Sequence, residues 1–251
     1  LNVRSRRQRQ MCIRDRSSDQ EVAFQAVDYI LRVLKKNMVF GMTWGRAMHE
    51  FVEQLAKDER LRSLSFQNVK VVPFLGTPGA IQSDSWNTTT YSNTLATKVG
   101  NLLHCASYNL SAPMYVEGTK EKELIESIDE IAKVLHMAET ADIALIGIGS
   151  MQDDSSIIKA EIRTKEEYKE LVRKGAVGEI VGRIYDKNGQ TVDEDLKRKM
   201  VGISLDKIAK IPVRVGMSYG KDKIEAIKGA IAGGLVNVLV TDVPTAELLL
   251  K

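Results

Sequence analysis

Apolar residues recur along this chain at two spacings, and their alternation outlines an architecture. Val22, Ala26, Tyr29, Ile30 and Val33 form a helical stripe that a cap at Ser17-Ser18-Asp19 would open. Met38-Val39-Phe40 is a short apolar run, and Gly41-Met42-Thr43-Trp44-Gly45 joins it to Ala47, Met48, Phe51, Val52 and Leu55, again at helical spacing. The pattern there is strand, glycine loop, helix. Val69 to Phe74 reads as a second strand, leading into turn residues Gly76-Thr77-Pro78-Gly79, and the polar run Asn87 to Thr90 precedes a helix marked by Leu95, Val99, Leu102 and Leu103.

Further on, Glu121 to Met137 predicts one long amphipathic helix with Leu124, Ile128, Ile131 and Leu135 on its buried face. Ile143 to Ile148 is apolar throughout, as a strand buried on both faces requires, and it ends in Gly147-Ile148-Gly149-Ser150. A helix over Lys165 to Lys174 precedes a strand over Ile180 to Tyr185, and Asn188-Gly189 marks a hairpin. Val213 to Met217 and Val236 to Leu239 are further strands, separated by a helix over Lys223 to Ala232. Strands alternating with helices imply an α/β fold with a mostly parallel sheet covered on both faces. In such folds ligands sit beyond the carboxyl ends of the strands, where the loops at Gly41, Gly76, Gly147 and Ser218 converge.

Composition narrows the functional classes. The chain has 251 residues, 43% hydrophobic and 27% charged, as in an ordinary globular protein. Its net charge of +3 is uneven: residues 1–16 hold six arginines against Asp15, so the remainder carries −2 and has no nucleic-acid-binding charge. Residues 1–16 lack any apolar period, and Met11-Cys12-Ile13-Arg14-Asp15-Arg16 resembles a translated adapter read-through. They are expected to be a disordered or artefactual basic leader, with the natural protein continuing upstream; the competing reading is a basic arm that touches DNA phosphate. Residues 17–251 are expected to form the folded unit.

Two cysteines, Cys12 and Cys105, make neither a disulfide framework nor a metal cluster. His49, His104 and His136 are too scattered for a metal site, so no cofactor or metal is expected. With no apolar run of membrane-crossing length and no signal-peptide core, a cytoplasmic location is expected.

The Gly41–Gly45 loop carries the sharpest chemistry. A glycine turn into a helix presents backbone N–H groups and the positive helix end to an anion, and Thr43 adds a hydroxyl. An ordinary strand-to-helix turn needs the same glycines. Lys223, near a helix start, is unfavourable for the helix dipole unless an anion offsets it; a solvated surface lysine is the bland alternative. Trp44 suits either a sugar face or the core beside Phe40, Glu179 either a ligand or a loop cap, and Asp153 to Ser156 either a loop that approaches the ligand or, the blander reading, an exposed loop.

These motifs also occur in a telling order. Gly41-Met42-Thr43-Trp44-Gly45 is followed by Gly147-Ile148-Gly149-Ser150, by the Gly175–Arg183 block, by Gly220 with Lys223, and by Gly233-Gly234-Leu235-Val236-Asn237 running to Thr241-Asp242-Val243-Pro244-Thr245-Ala246. From about residue 22 onward the chain resembles the effector-binding domain of SorC-type sugar-sensing transcriptional regulators. The resemblance implies a Rossmann-like sheet related to sugar-phosphate isomerase and CoA-transferase folds. It implies a phosphorylated sugar effector, a homo-oligomer, and operator DNA bound only through an N-terminal domain that this sequence lacks.

By the same resemblance, Gly41, Met42, Thr43, Trp44 and Gly45 form the phosphate-contacting loop, Lys223 reaches the ligand, and Glu179 faces sugar hydroxyls. Thr77, Gly79 and Asn93 line the second loop, which departs from the family by a long polar insertion and the lack of a basic residue; Pro244 is a smaller departure. The rival is an enzyme of the same fold, a sugar-phosphate isomerase or an aldolase-like lysine enzyme, with Glu179 and Lys223 in the reacting roles. A third reading is a pure oligomerisation module. From the leader's lack of pattern, deleting residues 1–16 is expected to leave the thermal midpoint unchanged; a fall of about 2 °C or more in a calorimetric scan would show that they pack.

Overall fold

A computed structural model describes residues 18–78, 88–153 and 155–251; the leader, Gly79 and Asn87 lie outside the described residues, as does Asp154. Helix α1 (Ser18–Val33) precedes β1 (Val39–Met42), α2 (Arg46–Leu55), β2 (Lys70–Pro73), α3 (Ser92–Leu103) and β3 (Ala106–Ser107). Then come α4 (Thr119–Glu126), α5 (Asp129–Glu139), β4 (Ile143–Gly147), β5 (Gly149–Ser150), α6 (Ser156–Lys159) and α7 (Lys165–Arg173). The chain closes with β6 (Ala176–Ile180), β7 (Arg183–Asp186), α8 (Glu194–Lys199), α9 (Leu205–Ile208), β8 (Val213–Met217), α10 (Ile224–Ala232), β9 (Val238–Val240) and α11 (Val243–Leu249).

Six strands form one parallel sheet in the order β3-β2-β1-β4-β8-β9. The chain steps outward from β1 to β3 and then returns to place β4 on the other side of β1. The switch point therefore falls between β1 and β4, and the crevice beyond their carboxyl ends is where such a sheet offers a ligand site.

Side chains alternate cleanly across the sheet. Phe40, Met42, Val71, Ile143, Leu145, Val215 and Met217 pack with α1, α2 and α3 on one face. Val72, Ala144 and Ile146 face the other way, into a core completed by α5, α10 and the second sheet. That second sheet, β5-β6-β7, is antiparallel and crosses the carboxyl end of the parallel one, because β5 begins two residues after β4 ends.

Several expectations change. The single helix over Glu121 to Met137 is two helices, α4 and α5. Ser127 turns its hydroxyl back to the Leu124 carbonyl at 2.7 Å, Ile128 is extended, and Asp129 and Glu130 open a new first turn where carboxylates suit the helix dipole. Leu124 and Ile128 are consequently 70% and 50% exposed instead of buried. The strand over Ile180 to Tyr185 is also interrupted. Val181 and Gly182 both have positive φ, 54° and 67°, and make the two-residue turn between β6 and β7. The Asn188-Gly189 signal does form a turn, closed by an Asp186 N–H bond to the Gln190 carbonyl, but only the isolated bridge Tyr185–Thr191 follows it. The last strand starts at Val238, two residues late, and the sheet gains the short β3, which no pattern marked.

Gly41 is likewise not a loop residue. It lies inside β1, paired with Val72 and Ala144, and a β-carbon there would fall 1.9 Å from Cε1 of the buried Phe74 ring. Gly41→Ala is therefore expected to lower stability by about 1–3 kcal/mol through overpacking. In urea unfolding, adding Phe74→Ala should make the pair less destabilised than the sum of the single changes; strict additivity would disprove the contact.

Candidate functional site

The loop from β1 to α2 is short: Thr43, Trp44 and Gly45. Thr43 is 1% exposed, its N–H bonds to the Leu145 carbonyl at 3.1 Å, and its Oγ1 accepts the Gly147 N–H at 3.0 Å. The hydroxyl expected as a free donor thus ties the ends of β1 and β4 together across the switch point. Gly45 alone supplies the positive φ, 107°, and a β-carbon there would meet nothing within 4 Å. This leaves the α2 amino end uncapped by any side chain and free of acidic residues in its first turn. Met42 points into the helix-covered core, so only its backbone belongs to the loop.

Glu179 does not lie in a loop. It sits on β6 opposite Gly149, and it is 6% exposed. The glycine is needed there, since a β-carbon at residue 149 would stand 2.8 Å from Glu179 Oε2. Burial raises the carboxyl pKa, while three neighbours oppose the rise: the Gly182 N–H, which donates to Oε1 at 2.6 Å, the Trp44 indole N–H, and the Lys223 charge. Trp44 is therefore a core residue with a polar handle, packed on the Ile146 side of the sheet and not beside Phe40.

Lys223 stands just before α10, in the turn that follows Gly220, whose φ is 108°. Its Nζ donates to Ser150 Oγ at 2.8 Å and lies 3.5 Å from Asp222 Oδ2, to which Ser150 Oγ donates at 3.2 Å. The loop is anchored further by Ser218 Oγ, which donates to the Ile148 carbonyl at 3.1 Å, and by the Gly220 N–H bond to Thr245 Oγ1 at 2.8 Å. Tyr219 reaches outward and donates to the carboxylate of Asp19 in the first turn of α1; burial and that carboxylate hold its phenol well above its usual pKa.

The fold therefore brings Thr43, Trp44, Gly45, Glu179 and Lys223 to one edge, with Ser150 and Asp222 as members that sequence reasoning did not single out. Ser150 had a signal, since it ends the glycine block after the most apolar strand. Thr77 and Asn93 form a separate cluster. Asn93 Nδ2 donates to Thr77 Oγ1 at 2.8 Å and to the Leu110 carbonyl at 3.0 Å, and Oδ1 accepts the Leu110 N–H at 2.9 Å. Both amide hydrogens of Asn93 are committed, so the side chain clamps backbone.

An open groove of ≈ 520 Å³ lies elsewhere, between α1 and the turn after α2. Its arginine is already matched: Arg60 is 2.9 Å from Asp28 and 2.7 Å from Asp58. It has neither the buried acid nor the free helix ends of the carboxyl edge. Among the described residues, no helix is long and apolar enough to cross a membrane.

Comparison with known proteins identifies the family. Residues 13–251 match the Sugar-bind family, a sugar-binding domain. The sorbitol operon regulator of Klebsiella pneumoniae is 30% identical over 222 residues, which span 88% of this chain and 67% of that protein. The transcriptional regulator LsrR of Escherichia coli O9:H4 (strain HS) is 30% identical over 230 residues, 90% of this chain and 67% of that protein. The crystal structure of the full-length sorbitol operon regulator SorC from Klebsiella pneumoniae superposes with a TM-score of 0.82 at 28% identity, covering 94% of this chain and 75% of that one. The chain therefore belongs to the sugar-binding domain family of SorC-type transcriptional regulators.

Proposed function

We propose that this chain is the effector-sensing part of a sugar-responsive transcriptional regulator, that its effector is a phosphorylated sugar, and that ligand capture modulates self-association and operator binding. One observation carries the reading. The uncapped amino end of α2 opens onto the same edge as Lys223 and the buried Glu179. A helix amino end together with a cation suits a phosphate, and a buried carboxylate suits the hydroxyls of a sugar. The two chemistries on one edge match a ligand that carries both. Gly41 and Met42 contribute through the backbone that sets this loop, whereas Thr77 and Asn93 hold the neighbouring loop in shape.

The surroundings of Lys223 favour a binding role over an enzymatic one. An amine nucleophile is activated by apolar surroundings or by a neighbouring cation, but Lys223 donates to a hydroxyl and has a carboxylate at 3.5 Å. The named relatives are regulators as well. Operator recognition belongs, in this reading, to a separate DNA-binding domain of the whole regulator, and the protein works in the cytoplasm, where phosphorylated sugars and DNA are both found.

Two outcomes are expected. In calorimetry against paired sugars and sugar phosphates, only phosphorylated forms should bind, and Lys223→Ala should weaken them about tenfold or more, as the loss of one charge-assisted hydrogen bond requires. Equal affinity for free and phosphorylated sugar would rule the reading out, as would turnover of a bound sugar phosphate. In gel shifts across salt concentrations, residues 17–251 should show no sequence-selective binding to promoter DNA, given their −2 charge. Tight, salt-resistant binding there would mean that a DNA-reading surface lies within the sensor.

A further inference from the structure

We infer that Asp222 is a resident competitor of the ligand anion: in the free protein its carboxylate takes the Lys223 ammonium and the Ser150 hydroxyl, and an arriving phosphate has to displace it. Asp222 thereby sets the affinity threshold of the site. The inference rests on the sugar-phosphate reading and names the residue that tunes it.

Asp222 and Lys223 are consecutive residues, and the side chains of neighbours in a helical turn ordinarily diverge. Here they meet. Lys223 Nζ stands 3.5 Å from Asp222 Oδ2, and Ser150 Oγ closes the triangle, accepting from Nζ at 2.8 Å and donating to Oδ2 at 3.2 Å. The meeting depends on Gly220. Its φ of 108° leads the chain into the short turn Lys221–Lys223, and a β-carbon at this position would stand 2.8 Å from Asp222 Oδ1. Glycine thus makes room for a carboxylate that folds back over the turn and onto the next side chain. The carboxylate stands where an anionic ligand group would have to stand to use both donors.

The contact is also easily broken. The Asp222 side chain is 52% exposed against 23% for Lys223, while Ser150 is buried. An ion pair this wet contributes little, and rotation about χ1 returns the carboxylate to water. The buried Glu179 draws on the same lysine charge. A phosphate beside Lys223 would face two carboxylates, and Asp222 is the one that can leave. A carboxylate already in place selects as well. A ligand whose only charge is a carboxylate offers Lys223 no more than Asp222 does, whereas a phosphate brings more charge and a third acceptor oxygen. The competitor therefore favours phosphorylated sugars over acidic ones.

The test is a titration of the ¹⁵N-labelled protein with inorganic phosphate, read at the amides of Ser150 and of Gly220 to Lys223. Asp222→Asn keeps the size of the side chain and an acceptor for Ser150, and should bind phosphate about three- to tenfold more tightly than the parent. Asp222→Ala, with the same expectation, takes its place should the asparagine variant misfold. The gain should depend on the lysine, so that in a Lys223→Ala background Asp222→Asn adds little. A residue that merely braced the loop would show the opposite sign, weaker binding on substitution. Unchanged or weaker phosphate binding in the variant would overturn the inference. So would a gain that survives undiminished without Lys223, because the carboxylate would then act at a distance and not through the pair. Phosphate without effect at these amides in parent and variant, in a protein that binds sugar phosphates by calorimetry, would overturn it and leave the sugar-phosphate reading intact; if no sugar phosphate binds either, both readings fall.

Discussion

The whole arrangement follows from one constraint: a parallel sheet must bury both of its faces. Each strand has to be followed by a crossover that returns the chain to the same end of the sheet, and the helices that do this begin at the carboxyl edge. Alternation along β1, β4 and β8 satisfies the burial, with Phe40, Met42, Ile143, Leu145, Val215 and Met217 on one side and Ala144 and Ile146 on the other. The gathering of positive helix ends at one edge is a by-product of this packing. It costs the fold nothing extra, and it leaves an electrostatic field that other side chains need only refine.

Glu179 is the most demanding of those refinements. An ionised carboxylate loses several kcal/mol of hydration when buried, and it survives only where donors replace water. Here the replacements come from three separate parts of the chain: the Gly182 N–H of its own turn, the Trp44 indole from the β1 loop, and the Lys223 charge from the β8 loop. The antiparallel sheet holds the acid on β6, paired with Gly149 of β5. Gly149 removes the one β-carbon that would collide with it. Val181, a β-branched residue in the left-handed region, is part of the same arrangement, since its strained turn aims the Gly182 N–H at the carboxylate.

How much of this was legible in the sequence depends on the range of the interactions involved. Strand β4 announces itself because burial on both faces leaves a continuous apolar run, β1, β2 and β8 through shorter apolar stretches, and α2 and α10 because one face of each is wet. The break between α4 and α5 was hidden: Leu124 and Ile128 keep the helical period, and only the local bond from Ser127 to Leu124 ends the helix. Gly41 was assigned to the loop because a glycine pair flanking Thr43-Trp44 suggests turn geometry, whereas its need comes from Phe74, a residue 33 positions away. In the site, Gly45, Trp44 and Lys223 were identifiable from loop chemistry and from resemblance. Ser150 could have been found at the end of its glycine block, but its bridge to Lys223 and Asp222, 73 and 72 residues away, leaves no local pattern, and Asp222 had no signal.

The bond from Tyr219 to Asp19 gives the β8 loop a second attachment, outside the sheet. The residues that place Lys223 and those that start α1 share this contact, so a rearrangement of either one breaks it. Fraying of the first turn of α1 frees Tyr219, and a loop that relocates Lys223 withdraws the partner that holds Asp19. Free energies of this kind are reciprocal: whatever amount loop ordering adds to the persistence of that first helical turn, the ordered turn returns to the loop. The amino end of α1 is thereby a mechanical gauge of the β8 loop, read at the far end of a tyrosine side chain.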